Sequence, residues 1–417
     1  MSPARRRLRL VYYTYPAVLA PALSLTHELS KHAECHLLLE VSPSAWKIEM
    51  FDVDPRSVPS GIVEADPILS RAFPAGLRKW WRGLASFNLV VHPASKSLHP
   101  ASWRLSRAVT RSVRELAPDL VHFDDVSRRM VLALPSLGRI PVVLSLHDPT
   151  FHSGEGSWRG DLFRRLMLRR ANHVILHNDL LKLVFCRRYR LSPTRVHSVH
   201  LGVYDLLREW VCEPIVEEDR TVLMFGRLSP YKGLDVLYRA APRIAERVPG
   251  VRFVVAGQPV PGYVPPPPPR LPNGGQIEVL TEYVSNTKLA RLFQRATVIA
   301  CPYRDATQSG VALTGYAFGK PIVATRTGGL PEYVRDGETG LLVAPGDAEA
   351  LADALVRVLL DPQLKAGLQA GITSLRRDSL TWERAARQTL DAYDEVVGLL
   401  MSEEVGRQSN VAYSARN

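Results

Sequence analysis

The sequence predicts an α/β chain of two domains, each a mostly parallel sheet wrapped by helices, on three observations. Its 417 residues exceed what one ordinary core holds, so two cores are expected. Short apolar runs rich in β-branched residues alternate with helical stretches. That alternation stops near residue 205 and starts again, which gives two successive strand-helix series. A hydrophobic content of 46% with 23% charged residues belongs to a folded chain rather than a disordered one.

In the first series the strands are expected at Leu8–Tyr13, Cys35–Val41, Asp119–Phe123, Pro141–Ser145, His173–Leu176 and Val196–Val199. Helices are expected at Leu19–Ser30, Ser102–Leu116, Leu162–Arg170 and Leu180–Arg188. Residues 43–100 are rich in Pro and Trp and read as long loops with one more strand near Leu89–His92. The second series predicts strands at Thr221–Phe225, Arg252–Ala256, Gln276–Leu280, Thr297–Ala300, Pro321–Ala324 and Gly340–Val343. Its helices are expected at Leu234–Val248, Asn286–Gln294, Gly310–Phe318 and Glu349–Leu360. The first domain then spans 1–205 and the second 206–380, with 402–417 as a flexible polar tail. Pro265–Pro269 reads as a stiff exposed loop.

Composition narrows the setting. No run approaches the ~20 apolar residues of a spanning helix. The arginines near the N-terminus are followed by a stretch interrupted by Tyr, Thr and Pro, so a cleaved leader is not expected and the chain reads as cytosolic. Cys35, Cys186, Cys212 and Cys301 are scattered, without metal-ligand or disulfide spacing. The net charge of +12 lies wholly in residues 1–210, which carry 30 Lys and Arg against 18 Asp and Glu. That half fits either an anionic partner, such as a phospholipid surface or a phosphorylated acceptor, or a solvated arginine-rich surface. Nucleic acid is not expected, because no aromatic interleaving or reader motif accompanies the charge.

Ligands of open parallel sheets bind at the carboxyl ends of the strands, so the loops there hold the chemistry. Gly226-Arg227-Leu228-Ser229-Pro230-Tyr231-Lys232-Gly233 follows the first strand of the second domain and places two cations at the opening of a helix. Cations and a helix N-terminus together suit a diphosphate. Thr307-Gln308-Ser309-Gly310-Val311-Ala312 opens a second helix, with Ser309 as its cap and Gly310 allowing close approach to backbone N–H groups. In the first domain His147, Asp148 and His152 crowd one strand-end loop, as expected of groups facing a sugar or an acceptor.

These loops, with Gly257, Gly319-Lys320-Pro321-Ile322-Val323-Ala324-Thr325, Thr327-Gly328-Gly329-Leu330-Pro331-Glu332 and Asp336 to Val343, resemble the retaining GT-B glycosyltransferases of the large group-1 family, which are glycosyltransferase family 4-like. The resemblance implies two facing Rossmann-like domains, with the donor held in the second. It also implies a helix over 381–400, opened by Thr381-Trp382, that crosses back to the first domain. Arg227 and Lys232 match the family's diphosphate-binding pair, and His147 matches its cleft histidine. Gly226, Asp305, Thr307, Gln308, Ser309, Gly310, Val311 and Thr314 then fall on the donor side, as do Glu282 and Tyr283 near the nucleobase. Asp148, His152 and Tyr15 fall on the acceptor side. His200-Leu201-Gly202 matches the turn that ends the first domain, and Glu332 is expected to anchor its own helix.

The chain departs from the family where two glutamates eight positions apart precede the Gly-x-Pro, here Ala306 and Thr314. Thr314 offers the ribose only a weaker hydrogen bond, and Asp305 is the substitute for the first glutamate. The loop Tyr13-Thr14-Tyr15-Pro16 also lacks the paired glycines seen after strand one. The implied activity is metal-independent transfer of a hexosyl group from a nucleotide-diphosphate sugar, with retention, in polysaccharide or glycoconjugate synthesis. The acceptor would be a lipid-linked or phosphorylated saccharide. No cofactor is implied beyond the co-substrate, and contact with an anionic membrane is the expected partner surface. A nucleotide-sugar epimerase and a non-catalytic homologue are the alternatives.

Overall fold

The computed structural model describes residues 6–48, 50–54, 58–97, 99–150 and 157–414, with side chains to residue 398. Ten strands precede residue 199: β1 (Arg9–Thr14), β2 (Glu34–Val41), β3 (Lys47–Ile48), β4 (Phe51–Asp52), β5 (Gly61–Glu64), β6 (Ser86–Val91), β7 (Leu120–Asp124), β8 (Val142–Leu146), β9 (His173–Leu176) and β10 (Val196–Ser198). Eight form one sheet in the order β10-β9-β8-β7-β1-β2-β6-β5, parallel except where β5 runs against β6. The helices of this half are α1 (Leu19–Leu29), α2 (Asp66–Ala72), α3 (Pro100–Glu115), α4 (Trp158–Arg170) and α5 (Lys182–Tyr189).

The second half carries β11 (Thr221–Phe225), β12 (Arg252–Ala256), β13 (Gln276–Leu280), β14 (Val298–Cys301), β15 (Ile322–Thr325) and β16 (Gly340–Val343) in one wholly parallel sheet. Its order, β13-β12-β11-β14-β15-β16, is that of a doubly wound nucleotide-binding domain. Around it lie α6 (Leu234–Arg247), α7 (Asn286–Arg295), α8 (Gly310–Ala317), α9 (Leu330–Tyr333), α10 (Ala348–Leu360) and α11 (Pro362–Asp378). Strands buried on both faces explain why the apolar runs located them: β7, β8, β9, β14 and β15 are buried at every residue.

Residues 43–100 hold more regular structure than expected. A hairpin of β3 and β4, then β5 and α2, precede β6. Strand β5 alternates between half-buried and exposed residues, as an edge strand does, so it lacks the continuous apolar run of its neighbours. This region is held instead by aromatic edges: Phe73 meets Phe51 at 6.3 Å, Trp81 at 6.5 Å and Trp210 at 5.7 Å. Helix α11 was also not expected. Asp361 starts it by accepting the Gln363 and Leu364 N–H groups at 3.0 Å, directly ahead of Pro362.

The last helix, α12, runs Trp382–Ser414 and so continues through most of the segment expected as a tail. It packs on α1 and reaches β7, where the Tyr393 hydroxyl bonds His122 Nδ1. This is the crossing back to the first domain that the resemblance implied. Its start is seated on the linker. Trp382 Nε1 donates to the Val203 carbonyl at 2.8 Å, and the indole lies so close to Gly202 that a Cβ there would come within 2.8 Å. Gly202→Ala should therefore force the indole aside and cost about 1–3 kcal/mol. A lowered thermal unfolding midpoint checks this, and an unchanged midpoint would contradict the seat.

Candidate active site

A crevice opens in a doubly wound sheet where neighbouring strands send their helices to opposite faces. In the second sheet that point lies between β11 and β14, and the two loops singled out for a diphosphate leave these two strands. Gly226 ends β11 at φ +116°, and its carbonyl lies where a Cβ on Gly257, the residue ending β12, would sit 2.0 Å away. Only glycine fits there. Lys232 ends a short turn, with Nζ 3.9 Å from the centroid of the buried Tyr303 ring. A Cβ on Gly226 would lie 3.9 Å from that Nζ and 3.5 Å from Val311, so the lysine and the first turn of α8 face one spot. Arg227 stands exposed beside it.

Helix α8 begins as predicted. Ser309 Oγ accepts the Ala312 N–H at 3.3 Å and lies 3.4 Å from the Tyr303 hydroxyl. The first N–H groups of a helix have no acceptor within it, which leaves those of Gly310 and Val311 for a ligand. Other donor-side residues are placed differently. The Thr314 hydroxyl donates to the Gly310 carbonyl at 2.8 Å, so its proton is committed within the helix. Thr307 is tied across the cleft: its hydroxyl bonds the Asp148 carboxylate, and its carbonyl accepts Asn178 Nδ2 at 3.0 Å. Gln308 Oε1 is enclosed without a hydrogen-bond partner among the described residues, and Asp305 lies half-buried in the same loop. Glu282 and Tyr283 follow the edge strand β13, two strands from the crevice, where exposed Glu282 pairs with Lys288 at 3.5 Å.

The first sheet has its own switch point, between β1 and β7. A buried polar layer lies there. Asp124 accepts the Thr14 hydroxyl at 2.9 Å through one oxygen and meets His147 Nε2 at 2.8 Å through the other. The His177 ring is 4.6 Å from His147; its Nδ1 bonds the Val199 carbonyl at 2.9 Å, and its Nε2 is enclosed without a partner. His122 bonds Ser145 at 2.7 Å behind them. Burial works against a charged His147, but Asp124, with Asp125 and Asp148 behind it, outweighs burial and raises the imidazole above its ordinary value. At His122 and His177 burial, aided by the charge of His147, outweighs the pull of Asp124 and depresses them to about 4 and about 3.

Tyr15 does not serve the acceptor side as expected. Its hydroxyl is enclosed and its ring meets Tyr13 at 6.0 Å, because Pro16 turns the chain straight into α1. His152 lies outside the described residues. Asp124, His177, Asn178 and the cleft-facing role of Glu332 were missed. The signal that could have found the first three was polar residues at the ends of β7 and β9, the criterion that found His147. Among the described residues, Asp124, His147 and His177 also bring ligand atoms within 4.8 Å of one another, close enough to share a cation. Two further trios, His173–His197–Glu395 and Asp179–His200–Glu332, reach the same spacing.

Comparison with known proteins decides the family. The model described as "Glycosyl transferases group 1" matches residues 219–361, and that described as "Glycosyltransferase Family 4" matches 70–205. A D-inositol 3-phosphate glycosyltransferase of Nocardioides sp. is 30% identical over 328 residues, covering 69% of this chain and 70% of that protein. The chain belongs to the group-1, family-4-like glycosyltransferases. A second D-inositol 3-phosphate glycosyltransferase, from Saccharomonospora viridis, is 32% identical over 244 residues. That match spans 54% of this chain and 56% of the relative, so the chain matches only about half of such relatives.

Solved GT-B structures share the fold of this glycosyltransferase. A sucrose-phosphate synthase from Thermosynechococcus elongatus superposes with a TM-score of 0.66 at 17% identity, covering 94% of this chain and all of that one. HepE of Anabaena, in complex with UDP and glucose, gives 0.63 at 16%, covering 93% and 100%.

The buried pair yields a test. A folded value raised above ~6.5 gives stability that is fully present below that pH and is lost as pH rises through the folded value. Asp124→Asn removes the strongest charge opposing burial and leaves only Asp125 and Asp148, so the His147 titration midpoint should fall. Ring-proton NMR measures it; a midpoint still raised in the variant would show that Asp124 does not set it.

Proposed function

We propose that this glycosyltransferase moves a hexosyl group from a nucleoside-diphosphate sugar to an acceptor hydroxyl, with retention of configuration and without a divalent ion. The observation carrying this reading is the convergence of Lys232, Gly226 and the first turn of α8 at the β11–β14 switch point. Fixed cations and backbone donors aimed at one point are what a departing diphosphate requires. Arg227 and Lys232 supply the positive charge a metal ion would otherwise bring. The bond from sugar to diphosphate breaks while the acceptor oxygen approaches the same face, and the acceptor proton passes to the departing phosphate oxygen. His147, bonded to Asp124 at the opposite wall, serves a donor-sugar hydroxyl or the leaving charge.

The matched relatives are named for D-inositol 3-phosphate, which favours a phosphorylated acceptor here and suits the basic first domain. A cytoplasmic site of action fits a nucleotide-sugar donor. A lipid-linked acceptor is the second reading, favoured by exposed apolar side chains in a basic segment. Trp158, Leu162, Leu180, Leu183 and Val184 are all exposed large apolar side chains at the starts of α4 and α5. Residues 157–190 around them hold nine Lys and Arg against two Asp. Apolar and aromatic side chains ringed by cations suit an anionic lipid surface. Among the described residues no helix is long and apolar enough to cross a membrane.

Two measurements follow. UDP, GDP or ADP should raise the thermal midpoint of the wild type. Arg227→Ala and Lys232→Ala should each lower donor turnover by roughly 10²–10³-fold, the usual effect of removing one donor to a developing anion. Turnover within threefold of wild type in both variants would remove the diphosphate site from this loop, and isomerised donor without transfer would replace transfer by epimerisation. For the second reading, the protein should sediment with vesicles containing phosphatidylglycerol and not with phosphatidylcholine alone. Trp158→Ser with Leu183→Ser should abolish that binding; failure to sediment with either vesicle would discard the lipid-linked acceptor.

A further inference from the structure

Glu332 follows the Gly-Gly turn after β15, in α9, yet its carboxylate does not serve its own helix. It accepts the Asp179 N–H at 3.0 and 2.8 Å through its two oxygens and the Leu180 N–H at 2.8 Å. His200 Nε2 meets it at 2.6 Å. One carboxylate of the second domain therefore grips the turn after β9 in the first domain and a histidine of the turn that ends that domain. Its side chain is only 12% exposed. Despite that burial, His200 and the two N–H groups hold its carboxyl below the ordinary glutamate value.

The neighbouring residues tie this grip to both walls of the cleft. Tyr333 donates its hydroxyl proton to the His177 carbonyl and accepts the Leu201 N–H at 3.2 Å. His177 packs on His147 at 4.6 Å, and Asn178 bonds the Thr307 carbonyl at 3.0 Å. On the other side of the same turn, Gly328 and Gly329 press on the donor loop. A Cβ on them would lie 1.5 Å from the Ala306 carbonyl oxygen and 2.1 Å from that of Thr307. Backbone contact that tight transmits a shift of the turn directly to residues 306–307, the place where the family's first glutamate is absent.

We propose that Glu332 is a positioning residue, a clasp between the domains that sets the donor loop Ala306–Gln308 in register with His147. It touches no substrate; it acts through the β9 turn on one wall and the donor loop on the other. This rests on the nucleoside-diphosphate-sugar reading of the cleft. The diphosphate half, Arg227, Lys232 and the start of α8, belongs to the second domain alone and does not depend on the clasp.

The experiment uses the full chain, with UDP and UDP-glucose, and GDP and ADP with their glucose conjugates, as probes. Glu332→Ala should lower the turnover of the donor that the wild type uses, read as diphosphate release, by about 10–100-fold, the order expected of a small misplacement of reacting groups. The affinity for the free diphosphate should stay within threefold of wild type. Glu332→Gln keeps one acceptor oxygen for the two N–H groups and should recover part of the loss. Small-angle scattering should show a larger radius of gyration for Glu332→Ala than for wild type. Turnover within threefold of wild type would overturn the clasp, and so would turnover and diphosphate affinity falling together, which marks a general structural role. A wild type that binds none of the three diphosphates sinks the donor reading instead; the scattering comparison still judges the clasp, and equal radii overturn it.

Discussion

A parallel strand ends in a loop that must turn away from the sheet, and at a switch point two such loops part to opposite faces and leave a crevice. The rest of this structure depends on that constraint being met twice, with the two crevices opposed. β11 and β14 open one; β1 and β7 open the other. Loops after β8 and β9 touch loops after β14 and β15 through Asp148–Thr307, Asn178–Thr307 and Asp179–Glu332. Crossing by α12 adds a further tie, since Tyr393 reaches His122 at the base of the first crevice. The cleft is therefore bounded by strand ends, whose positions are fixed by two buried sheets, rather than by free loops.

The two walls are built from different chemistry. The second domain offers cations and backbone N–H groups, with Lys232 Nζ lying over the Tyr231 and Tyr303 rings. The first domain offers a buried imidazole that Asp124 bonds and raises above its ordinary value against the effect of burial. Such a pair is costly to bury, and removing one partner leaves the other uncompensated. The Thr14 hydroxyl on the second oxygen of Asp124 offsets part of that cost. Where the family carries paired glutamates, this chain has Ala306, packed by backbone against Gly328, and Thr314, whose proton is used within its helix.

The strands from β7 to β16 were placed to within a residue or two; most are buried apolar runs, although β13 is a half-exposed edge strand. β5 was not, because its four residues, opened by Gly61 and closed by Glu64, make too short a run. Caps and phosphate-type turns were legible for a local reason: Ser309 bonds three residues ahead, and Gly226 needs a positive φ wherever the chain goes. Glu332 was misread for the opposite reason. Within its own segment it is an acid at the start of a helix, and its partners lie more than 130 residues away in sequence.

The sequence by itself determined the two α/β domains, the Gly226 turn and the Ser309 cap, because each is written in local periodicity or in residues that bond close neighbours. Tertiary structure alone decided which polar residues face one another across the cleft. Asp124 with His147, Asn178 with Thr307 and Glu332 with the β9 turn are contacts between strand ends far apart in the chain, and no local pattern sets them. It also withdrew the Tyr15 hydroxyl from the acceptor side, since Pro16 sends the chain into α1 and leaves that hydroxyl enclosed.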